Sequence, residues 1–266
     1  MYGQNPATAQ KLKRTLKQVM LLETNPNYAR MLADMLRMLG AEHITLYKDP
    51  LEAEDKVVGD NYSLIVCAYQ PQECESLNLV KKLRRSNAAC RKSPVIMIAG
   101  EATLSLLNEV RDCGADEFMR KPFTWGDLQK RVEHVSLKAR PWIEAVGYVG
   151  PDRRRFNSGD YSGPRKRAAD LGDEKLQAIE QGVRILKASY EQYASDPAQA
   201  RRAMYAQLEV LVPACKTIAS QQFREDVKVI LTQLRMDVPN LEAIRPAIYS
   251  LVKFMKIEDR KPPSAA

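Results

Sequence analysis

The residues best placed to do chemistry on a charged ligand are two runs of cations late in the first two thirds of the chain. Arg153-Arg154-Arg155 and Arg165-Lys166-Arg167 put six cations within fifteen residues, with Tyr148, Phe156 and Tyr161 interleaved. Guanidinium groups pair with phosphate and stack on bases, and aromatic rings add stacking area. Arg153, Arg154, Arg155, Arg165, Lys166 and Arg167 are therefore candidate anion- or nucleotide-binding residues, a cyclic dinucleotide being the sharpest version. The plainer reading is a linker with a mixed-charge surface. A second set, Glu23, Thr24, Ala68, Ala99 and Lys121, stands where short apolar runs end. Of these, only Glu23 and Lys121 carry charge, so an ion pair is the chemistry they offer. No catalytic constellation emerges. The two histidines, His43 and His134, are far apart in sequence, and no metal site or cofactor is expected.

The runs that position the second set alternate with helical patterns. Val19–Leu22, His43–Tyr47, Ser63–Ala68 and Pro94–Gly100 read as short strands, and a fifth ends at Lys121 within Asp112–Phe123. Between them, apolar residues recur at helical spacing: Met31, Leu32, Met35, Leu36 and Leu39; then Leu77, Val80 and Leu83; then Leu104, Leu107 and Val110; then Leu128, Val132 and Val135. Asn25-Pro26 and Asp49-Pro50 are helix starts, and Gly40 is a stop. Strands separated by helices imply a parallel sheet covered on both faces, with ligand chemistry at the carboxyl ends of the strands. Those ends are Glu23, Ala68, Ala99 and Lys121.

This order and spacing, closed by Asp112-Cys113-Gly114-Ala115-Asp116-Glu117-Phe118-Met119-Arg120-Lys121-Pro122-Phe123, resembles the receiver domain of two-component response regulators over about residues 17–138. The resemblance implies a flavodoxin-like, doubly wound α/β sheet of order 2-1-3-4-5. It also implies a phosphorylation site, and here that site is degenerate. Ala68 stands where the family has the phosphate-accepting aspartate, and Ala99 where it has a serine or threonine. Glu23 matches the first of two metal-binding acids, and Thr24 replaces the second. Lys121 is kept, and the Lys121–Pro122 bond is expected to be cis. Lys121 is then expected to pair with Glu23. In the family, partners dock on a face that falls here around Glu101–Arg111 and Trp125–His134. Trp125 is therefore the candidate interface aromatic, with partly buried packing as its plainer reading.

The rest of the chain reads differently. Residues 1–16 are an extension and 141–172 a Gly/Pro/Arg-rich linker. That linker spells Tyr148-Val149-Gly150-Pro151-Asp152-Arg153 and again Tyr161-Ser162-Gly163-Pro164-Arg165-Lys166. Residues 173–259 carry four amphipathic patterns and are expected to form an all-α helical bundle, with 260–266 a disordered tail. The bundle has no histidine, so it is no histidine phosphotransfer domain. Formal net charge is +8, split evenly between residues 1–140 and 141–266. Lys81-Lys82-Leu83-Arg84-Arg85 reads as a solvated helix face. No apolar run reaches the roughly 18 residues of a membrane span. Five cysteines without C-x-x-C pairing read as free thiols of a reducing cytoplasm. The leading function is a non-enzymatic, phosphorylation-independent receiver acting through a protein partner. The alternatives are a sensor of a phosphorylated nucleotide and, less favoured by the balanced charge of the bundle, a DNA-binding regulator.

Overall fold

The computed structural model describes residues 6–70, 75–138, 140–153 and 170–256, with side chains from 176 onward in the last span. The chain divides into two units: residues 1–143 with 148–162, and residues 144–147 with 163–266.

The first unit is built on five parallel strands in the order β2-β1-β3-β4-β5. They are β1 Gln18–Leu22, β2 His43–Tyr47, β3 Leu64–Ala68, β4 Val95–Ala99 and β5 Glu117–Arg120. Side chains alternate across the pleat and so divide the apolar residues between two cores. Met20, Ile65, Cys67, Val95 and Met97 face one side, against α3 (Pro50–Val57), α4 (Glu75–Arg85) and α5 (Leu104–Cys113). Val19, Leu21, Leu64, Val66, Ile96 and Ile98 face the other, against α2 (Pro26–Met38) and α6 (Trp125–Leu137). β3 and β4 are buried along their whole length, as central strands covered on both faces must be. Among the covering helices, α2, α3, α5 and α6 are started by side-chain caps. Asn25 Oδ1 accepts from the backbone of Asn27 and Tyr28, with Pro26 in the first turn. Thr124 and Asp127 form a reciprocal capping box on α6. Gly114 ends α5 in the left-handed region at φ 94°.

The structure corrects three sequence expectations. Within the supposed N-terminal extension, Pro6–Thr15 is a helix, α1, packed against α6. Leu12 and Leu16, four apart and both fully buried, give it the one-sided apolar stripe that docking needs. Within the supposed linker, β6 (Trp142–Glu144) and β7 (Val149–Pro151) pair into a two-stranded sheet, and the helix that follows begins at Asp170. Few aliphatics are needed there because Trp142 and Val149 supply the packing. The basic run of α4 is no uniform solvated face: Lys81, Lys82 and Arg85 are exposed, but Arg84 is buried. The expected tail at 260–266 lies outside the described residues.

The second unit is helical: α7 (Asp170–Glu191), α8 (Pro197–Ala214), α9 (Gln221–Leu234) and α10 (Leu241–Phe254). Helix α7 packs on α8 and α10, and α9 packs on the same two. Val183, Leu186, Met204, Leu211, Ile230, Ile244 and Ile248 form its core. Asp196, Ser220 and Asn240 cap α8, α9 and α10 with their side chains. Among the described residues, no helix is long and apolar enough to cross a membrane.

The four described cysteines are unpaired with one another. Burial pushes the Cys67 thiol up to about 12 and that of Cys113 up to about 11. Alkylation of the folded protein at mildly alkaline pH is therefore expected to reach the half-buried Cys215 well before Cys67 or Cys113. Peptide mapping over time checks the order, and equal labelling of all three would contradict it.

Candidate functional site

The carboxyl ends of β1, β3, β4 and β5 meet at one edge of the sheet, and four of the five predicted residues lie directly at them. Ala68 ends β3 and Ala99 ends β4, both buried and both with only a methyl group to offer. Glu23 follows β1 and is 2% exposed. Lys121 follows β5, held by its backbone N–H to Ala99 O at 2.7 Å, and the Lys121–Pro122 peptide is cis. The lysine Nζ donates to Glu23 Oε2 at 2.6 Å. Glu23 Oε1 accepts the Asn25 N–H at 3.0 Å, so both carboxylate oxygens are engaged.

Two residues that sequence reading did not single out complete this arrangement. The Tyr28 ring centroid lies 4.3 Å from Lys121 Nζ, a cation–π contact made from the first turn of α2. Gln70, just after β3, donates its amide to Thr24 Oγ1. Thr24, which replaces an acid, thus serves as an acceptor for a neutral side chain. The cavity lined by Leu22, Glu23, Thr24, Ala68, Gln70 and Ser76 measures about 10 Å³, room for about one water molecule. Among the described residues one carboxylate, Glu23, stands here and is already paired, which offers a hard octahedral cation little besides water. Among the described residues no group of acids, histidines and cysteines has the arrangement of a metal site.

Trp125, the predicted interface aromatic, is half-buried and packs against the core on the α2/α6 side. Arg153, the first of the six predicted anion-binding cations, is already committed. Its guanidinium stacks on Tyr148, with Cζ 3.8 Å from the ring centroid, and reaches Asp112 Oδ1 at 3.3 Å. Arg154, Arg155, Arg165, Lys166 and Arg167 lie outside the described residues.

Two buried polar centres lie at the opposite end of the sheet. Arg84 donates to Gly114 O at 2.9 Å, Arg91 O at 2.6 Å, Ser93 O at 2.8 Å and Asp116 Oδ2 at 2.9 Å. Burial pushes the Arg84 pKa down and that of Asp116 up, each opposed by the charge of the other. Glu117, fully buried, accepts from Arg131 at 2.7 Å and lies 2.9 Å from His134 Nδ1. A signal for Arg84 exists in the sequence: it lies four residues after Val80 and seven after Leu77, on the apolar face of its helix.

Residues 19–133 match the family model of the response regulator receiver domain. The chain is 26% identical to the transcriptional regulatory protein CrdR of Helicobacter pylori over 117 residues, covering 44% of this chain and 54% of that protein. It therefore spans about half the length of that relative. It is 22% identical to the chemotaxis protein CheY-3 of Vibrio cholerae over 124 residues, 47% of this chain and 94% of that one. Among solved structures, the receiver domain of the sensor histidine kinase PA1611 from Pseudomonas aeruginosa aligns at 21% identity and a TM-score of 0.41, covering 46% of this chain and 98% of that one. No family model matches the C-terminal half. Residues 19–133 are thus a response regulator receiver domain, a signal-transduction module.

Proposed function

We propose that this receiver signals without phosphorylation, through contact with a protein partner, and that the chain is not an enzyme. The observation that carries this reading is Ala68: the strand end that should present a nucleophile presents a methyl group. Three features support it. Ala99 has no hydroxyl to hydrogen-bond a phosphoryl group. Lys121, which would otherwise face the incoming charge, is satisfied by Glu23 below and Tyr28 above. The space beside Glu23 and Ala68, lined also by Leu22, Thr24, Gln70 and Ser76, has room for about one water molecule.

The state of Lys121 is then set by internal partners, and whatever recognises this domain meets one fixed arrangement of the β5–α6 end. The nucleotide-sensor reading loses support at Arg153, whose guanidinium is occupied by Tyr148 and Asp112.

A site whose one carboxylate among the described residues, Glu23, is already paired should not gain stability from Mg²⁺. Both tryptophans, Trp125 and Trp142, belong to the first unit, so their fluorescence reports its melting. A ligand that binds only the folded state raises the melting temperature. Millimolar Mg²⁺ is expected to leave the tryptophan-monitored Tm unchanged. A rise in Tm that Glu23→Gln abolishes would contradict the reading.

A further inference from the structure

Besides the pairing of β7 with β6, the segment Tyr148–Arg153 is seated on the first unit by contacts of three kinds. The first is backbone against backbone. A Cβ on Gly150 would lie 2.9 Å from Gly114 Cα, and one on Gly114 would lie 2.7 Å from Val149 O. Both glycines have positive φ, 157° and 94°, where a side chain is strained in any case. The second is aromatic. The Tyr148 hydroxyl donates to Pro151 O at 2.6 Å, which folds the ring back over its own Gly-Pro turn. The third is charge: Arg153 covers that ring and pairs with Asp112 at the end of α5. Beneath the segment, Arg84 donates to Gly114 O, the peptide that the two glycines bring close, and fixes the floor of the cleft. Tyr148, Gly150 and Arg153 of the Tyr-x-Gly-Pro-x-Arg pattern thus each have a partner of matching chemistry. The sequence spells the pattern again at Tyr161-Ser162-Gly163-Pro164-Arg165-Lys166, with lysine at the last place.

We propose that the cleft between α4 and the C-terminal end of α5 is a recognition site for Tyr-x-Gly-Pro-x-Arg segments, and that residues 148–153 are its resident occupant. The site lies at the end of the sheet away from Lys121 and does not depend on the phosphorylation-independent reading. Recognition rests on the absence of side chains at positions 114 and 150, so a peptide with any larger residue at the glycine is excluded. A segment tethered to its own cleft acts at an effective concentration in the millimolar range, so an external segment binds well only when the resident one is disabled.

The test uses the full chain and a fluorescein-labelled peptide of residues 146–156, followed by anisotropy. Gly150→Ala and Tyr148→Ala each disable the resident segment and leave Arg84, Asp112, Gly114 and Asp116 in place. Arg153→Ala is a milder third variant should either of these lose its circular dichroism signature. The peptide is expected to bind the folded variants at least about tenfold more tightly than the wild type. A peptide carrying the Gly150→Ala change is expected to lose that binding. Absence of peptide binding to every folded variant, equal binding to wild type and variants, or undiminished binding of the alanine peptide would each overturn the proposal.

Discussion

Arg84→Ala is expected to cost the first unit about 3–5 kcal/mol, the largest single-residue effect in the domain. The side chain is 1% exposed and serves three carbonyl oxygens besides Asp116. Its removal strands a buried carboxylate that keeps the Val95 N–H, together with three carbonyls from two stretches of chain. Urea unfolding followed by tryptophan fluorescence measures this, because both tryptophans report the first unit. The double variant Arg84→Leu with Asp116→Asn separates the two roles. It removes the unpaired charge but leaves the carbonyls of Gly114, Arg91 and Ser93 without their donor. It is expected to recover only part of the loss. Full recovery would mean that Arg84 matters for its charge alone.

Lys121→Ala is expected to cost about 3 kcal/mol. Glu23 would remain at 2% exposure with only the Asn25 N–H as partner. Lys121 is 17% exposed on its side chain, so water recovers some of the loss and the lower end of the range applies. The variant Glu23→Gln with Lys121→Met keeps the shapes and removes both charges. It is expected to be more stable than either single variant, since a buried pair is costly to break and cheap to replace. A double variant less stable than both singles would show that the pair itself is a net source of stability.

Much of this fold is legible in the sequence because its signals are local. The five strands are short apolar runs, and the helices α2, α3, α5 and α6 are announced by caps and stops within a few residues of their ends. The strand ends follow from the same apolar runs, which is why Ala68 and Ala99 could be placed at the ends of β3 and β4 without a structure. What stayed hidden depends on partners distant in sequence. The segment at 148–153 looks like a linker because its packing rests on Gly114 and Arg84 rather than on aliphatic residues of its own. Arg84 looks solvated among Lys81, Lys82 and Arg85, although its spacing from Leu77 and Val80 puts it on the buried face. Tyr28 looks like an ordinary first-turn residue until β5 brings Lys121 beneath it. The helix α1 rests on two leucines, too few to register as a pattern.

The receiver is expected to take up no phosphoryl group. Incubating the full chain with acetyl phosphate and Mg²⁺, then measuring its intact mass under native pH, tests this directly. An unchanged mass is expected, because Ala68 supplies no oxygen to attack phosphorus. A stoichiometric gain of one phosphoryl group, mapped by fragmentation to the β3 end or the residues just after it, would contradict it.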